Sequence, residues 1–208
     1  MRALVFCADL ICFAGFGWAM LRHFQPAGKP KLGMILTGTI VPVFASLHLA
    51  ALLMRPVPRP LLAIALYAAS AALFWSAIAA TRGRHLGVCF QRHVPPALVR
   101  TGPYKLIRHP FYTAYMLTWI AGFVATGWWP LALTAIFMAS LYRRAACQEE
   151  RCFMESEMSE EYRSYLRATG RFVPRIVGQV ANTGSRLSLQ SVAEIRHGRA
   201  DAGRTDMR

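Results

Sequence analysis

Two short stretches hold the residues able to do chemistry. The first, residues 98–112, reads LVRTGPYKLIRHPFY and combines one histidine, two tyrosines and three basic side chains with Gly-Pro and His-Pro turns. The second is the pair Glu149-Glu150, about forty residues later. Gly102-Pro103 marks a turn. Pro110 suits the first turn of a helix, which sets His109 at that helix's N-terminal edge. Free backbone amides and the helix dipole there favour an anionic group such as a carboxylate. Tyr104 and Tyr112 offer hydroxyls and aromatic faces that can stack on a base or meet a cation. The plainer reading is a capped helix start anchored at a membrane interface. For the Glu pair, one reading is a salt bridge to Arg108, Arg143, Arg144 or Arg151. The other is a carboxylate holding a cationic or hydroxylated ligand. Spacing leaves both pairs of readings open.

The elements around these stretches are apolar. Of 208 residues, 55% are hydrophobic and 16% charged, and the mean hydropathy is positive. That balance suits a polytopic membrane protein rather than a soluble domain. A bilayer core roughly 30 Å thick takes about 20 helical residues per crossing. Runs 3–21, 32–54 and 61–80 meet that length, and Asp9 is the one charged residue among them. Runs 111–126 and 128–142 are shorter and meet at the Gly-Trp-Trp-Pro turn of residues 127–130, as an apolar helical hairpin. The expected fold is therefore all-α, with about five transmembrane helices and a cytoplasmic C-terminal segment. The first run is longer than a typical signal-peptide core and lacks a clean cleavage site, so it counts as a span. Residues 1–80 form a three-helix scaffold, 81–176 the region that holds both chemistry-bearing stretches, and 177–208 a basic, disordered tail. The last two runs return the chain to one membrane face, which brings His109, the tyrosines and Glu149-Glu150 together.

The net charge of +14 follows the positive-inside rule. Loops 22–31 and 81–108 and the segment after Tyr142 are basic, which sets the N-terminus outside and the C-terminus in the cytoplasm. Scattered arginines without a recognition motif exclude nucleic acid as a partner. Five cysteines without a CxxC pair point to neither a disulfide framework nor a metal site. Asp9 and His48 are polar residues at membrane depth, costly there and often functional. Asp9, near the start of its run, could instead reach the interface. Phe153, Tyr162, Tyr165 and Leu166 could form the apolar stripe of an interfacial helix. A helix break is expected near Met158-Ser159, with Ser159 capping the next helix. Within the tail, residues 187–195 could form a short helix on a membrane.

The ordered motifs go further than any of them singly. Leu98-Val99, Thr101-Gly-Pro-Tyr104, Arg108-His-Pro-Phe-Tyr112, Glu149-Glu150, Tyr162-Arg-Ser-Tyr165 and Val173-Pro-Arg175 resemble the integral-membrane methyltransferases. These are the isoprenylcysteine carboxyl methyltransferases and their phospholipid methyltransferase relatives, and the resemblance runs over residues 85–176. It implies an S-adenosylmethionine-dependent methyltransferase acting on a lipophilic acceptor (a carboxylate, amine or thiol), with no obligate protein partner. It also implies that Pro96, Ala97, Leu98 and Val99 meet the cofactor through backbone groups and that Tyr104 lines the pocket. His109, Pro110, Phe111 and Tyr112 would surround the methionine and adenosine parts, and Glu150 would bind the cofactor directly. The chain departs from the isoprenylcysteine branch in three places. Ala146 stands where that branch has an acceptor-binding arginine, Pro96 stands for a histidine, and Met158-Ser159 replaces Phe-Gly. Arg143 and Arg144, one turn earlier, could substitute as acceptor ligands. The C-terminal pattern also resembles NADPH-dependent membrane sterol reductases, which are about twice as long. A non-catalytic membrane protein is the third reading.

Overall fold

A computed structural model describes residues 1–25, 32–83, 86–87 and 98–175. Pro96, Ala97, Cys89 and the tail 177–208, with its expected short helix, lie outside the described residues.

The described chain is all-helical apart from one minimal strand pair. Helices α1 (Arg2–Arg22), α2 (Leu32–Met54) and α3 (Pro60–Ala80) come first. A 3-10 turn (Gly102–Lys105) leads to α4 (Pro110–Thr126), α5 (Trp129–Met154) and α6 (Ser159–Ala168). Strands β1 (Phe24–Gln25) and β2 (Leu86–Gly87) pair in parallel and join the ends of α1 and α3. Helices α1 and α3 are long and apolar enough to cross a membrane, and residues 38–54 of α2 form a shorter apolar stretch.

Proline and glycine set the helix ends. Pro60, Pro110 and Pro130 each sit in a first turn, where their missing N–H costs no helical bond. Gly127 closes α4 at φ +65°, a left-handed conformation that glycine adopts without a Cβ penalty. This break between α4 and α5 falls at the expected Gly-Trp-Trp-Pro turn. The C-terminal helix differs from expectation at its start. Met158 is the N-cap, Ser159 is the first helical residue, and no side chain caps the helix. Ser156 supplies local support instead, its hydroxyl accepting from the Met158 amide at 3.2 Å.

Helix α4 is the centre of the bundle. Ser70 of α3 donates to the Ala114 carbonyl at 2.7 Å and lies 2.8 Å from the Thr118 hydroxyl, a polar seam within an otherwise apolar contact. On its far side α4 meets α2 through a close fit. His48 lies over Gly122, where an added Cβ would stand 2.2 Å from its Nδ1. The His48 ring also reaches Thr134 of α5 at 3.2 Å and packs edge-on against Trp119. Its burial is thus explained by joining three helices. Asp9, for which the sequence left open an intramembrane role or a reach to the interface, is fully buried beside Tyr67 of α3.

Candidate active site

The site forms where the start of α4, the end of α5 and the segment after α6 meet. His109 is the N-cap of α4, and its side chain makes no capping bond. It is held instead between two carboxylates of α5. Its Nδ1 lies 3.5 Å from Glu149 Oε2, and its Nε2 lies 3.2 Å from Glu150 Oε1. An imidazole bonded at both nitrogens to carboxylates is best satisfied as the doubly protonated cation. Burial works against that charge. The hydrogen bonds and the negative charge of Glu149 and Glu150 outweigh it, so the His109 pKa lies above the ordinary 6.5.

Glu150 is the most heavily bonded side chain here, and its carboxylate is only 9% exposed. Oε1 accepts from Arg108 Nε at 2.9 Å, from Arg171 Nε at 3.1 Å and from His109 Nε2. Oε2 accepts from Arg171 Nη2 at 2.6 Å. Burial pushes the carboxyl pKa up, but the bonds from His109, Arg171 and Arg108 dominate and hold it down at about 2. Glu149 is more open, 31% exposed, and accepts from the Tyr112 hydroxyl.

An aromatic stack continues inward from the histidine. His109 and Tyr112 lie 5.6 Å apart at 18°, and Tyr112 and Tyr142 lie 5.5 Å apart at 13°. The residues at 109 and 112 share a helix face because they are three apart. Trp119 fixes the inner end of the stack, its indole N–H donating to the Tyr142 hydroxyl at 3.2 Å.

The segment after α6 straps across the loop. Gly170 N donates to Leu106 O, Arg108 N to Gly170 O, and His109 N to Arg171 O, at 2.9 to 3.1 Å. Arg108 also donates to the Thr169 carbonyl, and Thr113 to the Phe172 carbonyl. Gly170 permits this path, since a Cβ there would lie 1.7 Å from the Val173 carbonyl. Helix α6 is held by Tyr165, whose hydroxyl donates to the Tyr104 carbonyl at 2.7 Å, and by Tyr162 stacked on Phe153 at 4.7 Å. Its apolar stripe therefore turns onto the protein instead of outward to an interface.

Of the residues singled out by sequence, His109, Tyr112 and Glu150 converge here, with Pro110 buried at the turn that delivers them. Phe111 faces elsewhere, in a cluster with Phe24 and Phe74 of the α1–α3 side, and Tyr104 packs against that same cluster. Val99 is buried and Leu98 half-buried just before the turn. Arg143 and Arg144 are exposed and form no ion pair with a described residue. The carboxylate's guanidinium partners are Arg108, one of the four expected, and Arg171, which sequence reasoning missed. The one signal for Arg171 is its place beside a glycine in a short polar stretch.

The model of the phospholipid methyltransferase family matches residues 58–161. That is half of the chain. The protein belongs to this family. The match takes in α4, the loop 98–112 and Glu149-Glu150, and it ends before the strap and Arg171. No curated protein matches the chain. As a phospholipid methyltransferase family member with two helices, among the described residues, apolar and long enough to cross a membrane, the chain is a membrane-associated protein of a methyl-transferring family acting on lipid-like acceptors.

Proposed function

We propose that the protein transfers a methyl group from S-adenosylmethionine to a lipophilic acceptor at the membrane, with a carboxylate, an amine or a thiol as the nucleophile. The observation that carries this reading is Glu150. It is a buried carboxylate whose Oε1 takes three donors while Oε2 takes one. A carboxylate oxygen has two lone-pair positions, so Oε2 retains room for a ligand donor. Beside it lie Tyr112 and Tyr142, stacked in line with His109, and the electron-rich tyrosine faces suit an adenine ring or a sulfonium. The residues present therefore fit the cofactor.

S-Adenosylmethionine, when bound, supplies an electrophilic methyl group on a positively charged sulfur. Glu150 accepts a hydrogen bond from the ligand's ammonium or ribose, and the aromatic faces hold its flat and cationic parts. Leu98, Val99, His109, Pro110 and Tyr112 form the cofactor side, with Pro96 and Ala97 preceding them, while Tyr104 and Phe111 pack behind it on the α1–α3 cluster. Arg143 and Arg144, exposed beyond the apolar part of α5, serve the acceptor. A cationic electrophile loses charge in reacting with a carboxylate or thiolate and passes its charge to a neutral amine; in each case a dry, oriented pocket lowers the barrier chiefly by positioning. In this reading the chain crosses the membrane five times, with the N-terminus outside and the site in the cytoplasm. Family membership favours methyl transfer over a reductase.

Calorimetric titration of the detergent-purified protein with S-adenosylmethionine tests the proposal. Saturable binding by the wild type, weakened about tenfold or more in Glu150→Gln, is expected from loss of a charge-assisted bond. A folded wild type that does not bind, or a Glu150→Gln variant that binds normally, overturns it.

A further inference from the structure

Arg171 is the largest unabsorbed feature of the site. It lies outside the span matched by the family and comes from the strap, not from the helices. A guanidinium carries five N–H groups. Three of those on Arg171 are used: Nε on Glu150 Oε1, Nη2 on Glu150 Oε2, and Nη1 on Cys147 Sγ at 3.4 Å. Two remain without a partner among the described residues, one on each terminal nitrogen. The Arg171 side chain is 34% exposed and that of Glu150 9%, so Arg171 is the more open partner of the ion pair. Glu150 Oε2, bonded to Arg171, is also the oxygen with a lone pair to spare.

A spare acceptor and spare cationic donors thus lie within one hydrogen bond of each other. That arrangement is complementary to a ligand end carrying an ammonium and a carboxylate on one carbon. We propose that Arg171 is a ligand-binding residue: with Glu150 it clamps an α-amino-carboxylate, Glu150 Oε2 accepting from the ammonium and the free N–H groups of Arg171 donating to the carboxylate. The inference rests on the S-adenosylmethionine reading of the site and adds a recognition element for the amino-acid arm. Arginine suits the task because its planar fork can serve two carboxylates at once, which a lysine point charge cannot do with the same geometry. The strap's backbone bonds to Leu106, Arg108 and His109 fix where the fork stands.

The test compares two neutral thioethers that differ in this arm. S-Adenosylhomocysteine carries the α-amino-carboxylate and 5′-methylthioadenosine lacks it. Each is titrated calorimetrically into the full chain in detergent, as wild type, Arg171→Gln and Arg171→Lys. The wild type is expected to favour S-adenosylhomocysteine by tenfold or more. Arg171→Gln should lose about 10- to 100-fold for that ligand, as expected for a charged hydrogen bond, and stay within about twofold for 5′-methylthioadenosine. Arg171→Lys should fall between. Retained 5′-methylthioadenosine binding also shows that the variant is folded. Unchanged affinity of Arg171→Gln for S-adenosylhomocysteine overturns the clamp alone. Equal weakening of both ligands also overturns it and makes Arg171 a structural strut. A wild type that binds neither removes the parent reading together with the clamp.

Discussion

His109 and Glu150 stabilise the same junction but titrate in opposite senses. Glu150 has a depressed pKa, so its contribution is present above the ordinary 4.5 and is lost as the pH falls towards about 2. His109 has a raised pKa, so its contribution is complete below the ordinary 6.5 and is lost as the pH rises through its folded value. Thermal unfolding in detergent should therefore show a plateau between pH 4.5 and 6.5. His109→Gln should flatten the alkaline limb and leave the acid limb in place. An alkaline limb that survives His109→Gln unchanged would assign it to another group. Arg108 is the third member of this set and is as buried as Glu150. Removing one partner of a buried ion pair leaves uncompensated charge. With Arg171 and His109 still present, Arg108→Gln should cost about 2 kcal/mol, read as a lowered melting temperature. Phe111 shows what single-residue reading cannot do. It sits between His109 and Tyr112 in the sequence, yet at 3.6 residues per turn its side chain leaves the helix about 100° away from Tyr112. It therefore joins the α1–α3 aromatic cluster.

Among the elements, α4 is held by contacts that depend on small residues. Gly122→Ala would drive a methyl into the His48 ring, and α2 would have to withdraw. The change should destabilise the wild type by about 1–3 kcal/mol, as overpacking does. In a His48→Ala background it should cost much less, and a double-mutant cycle on thermal unfolding measures the difference. Additive costs would mean that the two helices do not meet there. These helices were legible in the sequence because each has its own signal, an apolar run closed by proline or by a Gly-containing turn. The return of Glu149-Glu150 to the face of His109 was legible too, since an apolar hairpin must bring its ends back together. The strap was not. It pairs residues 106–109 with 170–171, and a few backbone bonds over that separation leave no periodicity to read. The stripe of α6 was visible, but an amphipathic pattern does not say whether its apolar side meets lipid or protein. Tyr162 and Tyr165 meet protein.

For the whole molecule, the five crossings proposed above would place the Arg55–Arg59 turn and the site on opposite sides of the membrane. Alkaline phosphatase, which needs an extracytoplasmic location to be active, should be active when inserted at that turn and inactive when fused after Arg175. A green fluorescent protein fused after Arg175 should fluoresce. Activity at both phosphatase positions would require a different number of crossings. The site itself draws on three segments far apart in the chain: the loop before α4, the end of α5, and the strap. Only the last of these carries Arg171, and its backbone also bonds the residues on either side of Ile107. In the proposed topology, a nascent chain leaving the ribosome would thus have inserted its apolar helices before the proposed site had its last segment. Membrane insertion and completion of the proposed site would then be separate events in the protein's biosynthesis, and a stop codon before position 171 would leave an inserted chain without Arg171.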